Sequence, residues 1–217
     1  SAVTTLNGDF YLSINTDGVF INGTTGVVDT DIDQDNGVVH VIDRTLIPAS
    51  DNVVEIAVAA SQATEGAEFG LLVAALTAVE NDMDAPDLIT ALSDEDGAFT
   101  VFAPTDAAFE ALFTLAGVDD LNGLVTAAGG LEVIATVLQY HVVSGRIFST
   151  DIPNVLDGNM NATVTPLAGG TWTLNSDLTI TDVDDVLSLG TEDATIVGTD
   201  ILATNGVIHT IDEVILP

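Results

Sequence analysis

Residues 36–48 read NGVVHVIDRTLIP, and 169 residues later, at 205–217, the chain reads NGVIHTIDEVILP. A long-period repeat rich in β-branched residues commits both places to one local structure. The likeness runs upstream of each copy. Thr30-Asp31-Ile32 matches Thr199-Asp200-Ile201, and TLNGD from Thr5 matches TLNSD from Thr173 with the offset shifted by one. Residues 1–48 therefore repeat the last part of the chain and not its whole, as a cut tandem array would. The expected division is residues 1–48, the strand-rich tail of a preceding module, and residues 51–217, a complete one.

The hydrophobic period differs along the chain. DFYLSIN, GVFING and GVVHVIDRTLI read as strands punctuated by Gly, Asn and Asp, with turns at Asn7-Gly8 and Asn22-Gly23. From Asp51 the spacing becomes helical. DNVVEIAVAASQ is capped by Asp51 or Asn52, EFGLLVAALTAVEN carries Phe69, Leu72, Ala75 and Leu76 on one face, and APDLITALSD is capped by Asp84. AFTVFAP reads as a short buried strand, followed by helices over TDAAFEALFTLAG and LEVIATVLQYHVV. Strands return from GRIFSTDI through ATVTPL, GTWTLN, LTITDV and ATIVGTDI to the closing GVIHTIDEVIL. Helices first and strands last make an α+β fold.

Composition narrows the function. The 217 residues hold 34 Asp plus Glu against 2 Lys plus Arg, a net charge of −32. Nucleic-acid binding needs cations to replace counterions and is excluded by this balance; an anionic membrane surface is disfavoured for the same reason. Such self-repulsion is screened by salt, which points to saline surroundings. There is no cysteine, hence no disulfide, thiolate site or cysteine nucleophile. No apolar run reaches the length of a membrane span. Ser1 in place of Met reads as a processed chain, secreted with its signal peptide removed.

Three ordered segments, FTVFAPTDAAFEAL (99–112), LQYHVVSGRI (138–147) and TDILATNGVIHTIDEVILP (199–217), resemble the motifs of the fasciclin domain. The resemblance implies a β-wedge with packed helices, non-enzymatic, secreted or surface-attached, often in tandem, and used in adhesion or matrix. It also implies a role in adhesion for Tyr140, His141, Asp200 and Ile201, against which stands a packing role for each. The residues themselves suggest structural duties. Pro104 ends a strand, Thr105 or Asp106 caps a helix, Phe109 anchors it, and Asn205-Gly206 supplies the positive φ of a tight turn. In the closing strand Val207, His209 and Ile211 share one face and Ile208, Thr210 and Asp212 the other; apolar residues on both suggest a strand covered on both sides.

Other chemistry is weakly represented. Asp31, Asp33 and Asp35 have the spacing that starts a calcium loop, but Asn36 stands where Gly is required and Ile42 where Glu is required; TDVDD from Thr181 is weaker. Asn22 and Asn161 each begin a glycosylation sequon. No nucleophile elbow, phosphate loop or dinucleotide fingerprint is present. The expected protein uses no cofactor and binds a protein or glycan at a cell surface. Two alternatives remain: a fibre or oligomer subunit pairing through residues 1–48, and a carbohydrate or small-ligand module.

Overall fold

A computed structural model describes the chain except residues 7, 84, 157–160 and 183–192. Gly, Asn and Asp divide the first 42 residues into five strands: β1 (Ala2–Thr5), β2 (Gly8–Asn15), β3 (Gly18–Ile21), β4 (Thr25–Gln34) and β5 (Gly37–Ile42). They form an antiparallel meander in chain order. The β3–β4 turn uses Asn22 (φ 50) and Gly23 (φ 72), as the sequence predicts. Asn7 of the other expected turn lies outside the described residues. Ile21 is the one buried hydrophobic side chain among the described residues of 1–48, so this sheet has no core of its own.

Helices follow. They are α1 (Val53–Ser61), α2 (Gly70–Glu80) and α3 (Leu88–Leu92), then strand β6 (Phe99–Pro104), then α4 (Asp106–Ala116), α5 (Leu121–Ala128) and α6 (Leu131–Tyr140). The remainder is β7 (Val142–Ser144), a 3-10 turn (Ser149–Asp151), α7 (Ile152–Val155), β8 (Asn161–Val164), β9 (Trp172–Asn175), β10 (Thr179–Asp182), β11 (Ala194–Ala203) and β12 (Gly206–Ile211). Asn52 caps α1 in a capping box with Glu55. The cap of α3 is Asp87; Asp84 lies outside the described residues.

The second sheet runs β7-β6-β12-β11-β10-β9-β8, so the last strand sits near its middle. It pairs in parallel with β6 and antiparallel with β11. Alternation divides the central side chains between two cores. Ala103 and Ile208 join the helices, with Phe69, Leu72, Leu76 and Leu138; Phe102 and Ile211 join Trp172, Leu174 and Ile180 on the other face.

Three elements differ from the sequence reading. Val142 and Val143, expected at the end of the helix over LEVIATVLQYHVV, belong to β7, because α6 ends at Tyr140 with His141 as its C-cap. GRIFSTDI, expected as a strand, turns into the 3-10 segment and α7, because the Asp151 carboxylate accepts the Phe148 N–H at 3.2 Å. Helix α5 was not predicted from its short, glycine-containing sequence. Asp120 starts it by accepting the Gly123 N–H at 2.8 Å, and a side chain at Gly123 would strike Val118.

Candidate functional site

Pro104 ends β6 opposite Ile211, and the Thr105 hydroxyl then accepts the Ala108 N–H at 3.1 Å to start α4. Phe109 lies buried beneath that turn. Asp106 has a duty the sequence did not reveal. Its carboxylate accepts the Leu71 N–H at 2.7 Å and so caps α2, whose own N-cap, Phe69 (φ 67), offers no side-chain bond. Glu68 accepts the Asp106 N–H in return, at 2.7 Å.

Tyr140 and His141 end α6 inside the core, 0% and 2% exposed. The tyrosine hydroxyl donates to Thr171 O at 3.0 Å. His141 Nδ1–H donates to Val137 O at 2.7 Å, and Nε2 accepts the Ile215 N–H at 3.0 Å. That tautomer is neutral, and burial pushes the imidazole down to about 4 despite the helix carbonyl. Neither ring presents a surface to a partner.

Asp200 and Ile201 occupy an irregular part of β11, where the register slips between Gly198 and Ile201 and Asp200 takes φ 62. The Asp200 carboxylate accepts the Ser149 N–H at 2.8 Å and also the Ser149 hydroxyl. Its own N–H donates to His209 Nδ1 at 3.4 Å, leaving Nε2–H to donate to Ile147 O at 2.8 Å. Burial lowers the His209 pKa, while the Ile147 carbonyl and the Asp200 charge oppose that shift. Asp200 is thus turned inward, and Ile201, 38% exposed, is the part of the pair that meets solvent. The two expected motifs have different surroundings: a core junction for Tyr140 and His141, a sheet irregularity for Asp200 and Ile201.

The Asn205-Gly206 expectation needs correction. Gly206 does not have positive φ. It is required because a Cβ there would lie 2.6 Å from Phe99 O and 2.9 Å from Val53. Asn205, 0% exposed, ties three segments together. Its Oδ1 accepts the Val53 N–H at 3.0 Å, and its Nδ2 donates to Leu92 O at 2.8 Å and Asp94 O at 2.9 Å.

The β2–β3 hairpin docks against the same region. Arg146 lies 4.6 Å over the Tyr11 ring and donates to Thr204 O at 2.7 Å. Asn15 donates to Thr150 O at 2.9 Å, and Asn154 returns a bond to Ile14 O at 2.6 Å. Gly23 rests on Asp200 and Phe148 so closely that a Cβ would come within 2.8 Å of both. Asp200 is therefore a piece of the joint between the two sheets.

The remaining candidates are dispersed. Asp31, Asp33 and Asp35 follow β4 and its turn instead of wrapping a loop, and among the described residues no three His, Asp or Glu gather as a metal would need. Asn22 accepts the Tyr11 N–H at 2.8 Å in the β3–β4 turn, and Asn161 opens β8. Part of TDVDD lies outside the described residues. An apolar cavity of about 30 Å³ beneath α1 and α2, touching Val53, Leu76, Phe102 and His141, is far below the several hundred cubic ångströms of a small-molecule site. Among the described residues no single helix is long and apolar enough to cross a membrane.

A model of the Fasciclin domain matches residues 1–48 and 74–217. The Synechocystis sp. protein sll1483 is 36% identical over 149 residues, which is 69% of this chain and 67% of that protein. Human periostin is 30% identical over 183 residues, 84% of this chain but 18% of periostin. Among solved structures, a domain pair from the insect cell adhesion molecule Fasciclin I aligns over 100% of this chain and 66% of its own, with TM-score 0.56 at 15% identity.

Proposed function

The chain belongs to the fasciclin domain family, and from that premise we propose that it is a non-enzymatic, extracellular or surface-held adhesion or matrix protein of tandem modules. One observation carries this reading: the domain pair of an adhesion molecule aligns along the whole chain. The partner is a protein or glycan at a cell surface. The outer face offers Ile201 and Val197 to it, while Asp200 acts from within by fixing the part of β11 that carries Ile201. The acidic surface, with a net charge of −32, keeps such a protein soluble in saline surroundings.

Bead attachment tests the reading. Beads coated with the chain are mixed with cells and with immobilised glycans at about 0.1 M and about 2 M NaCl. Retention above that of beads carrying an unrelated protein of similar negative charge is expected at both salts. Equal retention at both would remove the adhesion reading.

A further inference from the structure

The joint between the two sheets is seated on residues 146–154, and that segment rests in turn on a histidine and an aspartate. On its outer side Arg146 and Phe148 meet Tyr11, the Phe148 ring 6.0 Å from that of Tyr11. Thr150 O accepts from Asn15, and Asn154 donates to Ile14 O. On its inner side the Ile147 N–H donates to the Thr100 hydroxyl at 2.9 Å, and Ile147 O accepts from His209 Nε2–H. Ser149 gives both its N–H and its hydroxyl to the Asp200 carboxylate. The same carboxylate lies under Gly23, where a Cβ would come 2.7 Å from its Cγ.

The bonds of Asp200 and His209 are interlocked. The Asp200 N–H donates to His209 Nδ1, which can accept only while the ring is neutral. A second proton on the ring would set N–H against N–H at that point. The charge that draws such a proton is the Asp200 carboxylate, which is engaged by Ser149. The other groups around the ring do not compete for it. Phe102 and Thr100 of β6 are uncharged. Asp151 accepts the Phe148 N–H, Asp212 accepts the Thr195 N–H, and Arg146 is turned to Tyr11 and Thr204 O.

We propose that the joint is a pH-sensitive latch: protonation of His209 turns the Asp200 carboxylate from Ser149 to the imidazolium, and the β2–β3 hairpin lifts from residues 146–154. Nδ1–H then donates to the carboxylate, both bonds from Ser149 are given up, and the seat of Tyr11 and Gly23 shifts with them. The direction follows from linkage. In the closed joint burial lowers the His209 pKa from the ordinary 6.5. The open joint therefore takes up the proton first. Acid favours opening as pH falls below 6.5, until the closed form is itself protonated. Between those limits each pH unit shifts the balance about tenfold. At neutral pH the two sheets move as one body, and acid frees the first from the second. Every group in the latch lies within the chain, and the latch works whether or not the protein is adhesive.

Two measurements test it. Amide exchange over residues 11–23 is followed from about pH 7 to about pH 5, corrected for the pH dependence of exchange itself, with β6 as internal reference. Protection over residues 11–23 should fall about tenfold while that of β6 holds. His209→Gln keeps a donor for Ile147 O but does not titrate, and its protection should stay level over the same range. Level protection in the original chain, a fall shared by β6, or an equal fall in His209→Gln overturns the proposal. The second measurement leaves the histidine in place. The imidazole signals of His209 are titrated in the original chain and in Gly23→Val, which forces the joint apart at Asp200 and Phe148. Linkage is reciprocal, so the His209 midpoint should rise toward 6.5 in Gly23→Val. An unmoved midpoint overturns the proposal even where His209→Gln fails to fold.

Discussion

Asn205 and Gly206 carry more of the fold than two residues beside a turn usually do. Asn205→Ala removes two buried hydrogen bonds and one half-buried one and strands their partners, so a loss of about 3–5 kcal/mol is expected in denaturant unfolding. Gly206→Ala drives a methyl group into the Phe99 carbonyl and should cost about 2–3 kcal/mol. The same substitutions at exposed Asn36 and Gly37 should stay within about 0.5 kcal/mol, a comparison the repeat makes inside one molecule. Histidine adds a pH signature. His141 titrates at about 4 in the fold against an ordinary value of 6.5. Its lowered value means that the unfolded chain binds the proton first. Stability is complete above pH 6.5 and falls as pH drops from there toward 4, by up to about 3 kcal/mol for this residue. His209, lowered by burial against the opposing Asp200 charge, shifts the same way. His141→Asn should be less stable at neutral pH and should lose less on acidification to about pH 5; an unchanged slope in chemical denaturation would contradict the assignment.

At the scale of elements, the joint and the sheet order are the informative features. Gly23→Val should push the β3–β4 turn, and with it the strands it follows, off Asp200 and Phe148, raising amide exchange over residues 8–23 about tenfold. The melting of the two cores that residues 51–217 form should change little, since they lie elsewhere. A concerted loss of both would mean that the hairpin is part of the module's core. The sequence made most strands and most helices readable, because β-branched alternation and capping residues are local signals. The helical faces of α2 and α6 became core as their spacing predicts. Residues 145–152 misled because their apolar run is bent by Asp151 and by a bond from Ser149 to Asp200, 51 residues away. Asp106 as the cap of α2 and Asn205 as a three-way tie were hidden for the same reason: each depends on a partner distant in sequence. Of the candidate site, the motif residues and a packing role for Tyr140 and His141 were legible; the inward bonds of Asp200 to Ser149 and His209 were not, since periodicity does not reveal which polar groups find buried partners.

For the whole molecule, 34 acidic residues against two arginines leave charge repulsion with little internal relief. Arg146 is committed to the joint, and Arg44 is exposed beside Asp43 at 3.4 Å. Thermal melting should therefore rise by at least several degrees between about 0.1 M and about 2 M NaCl, and a flat or falling curve would show that repulsion is not what limits stability. The position of β12 has another effect, on the order of events during synthesis. The ribosome makes β6 about a hundred residues before the strand that will lie beside it. Through that interval the nascent module holds its helices and a bare edge but cannot close the sheet. The seven-stranded sheet is thus closed by the last strand of the chain, and until that strand emerges the edge of β6 that will receive it is exposed to pairing with a wrong neighbour.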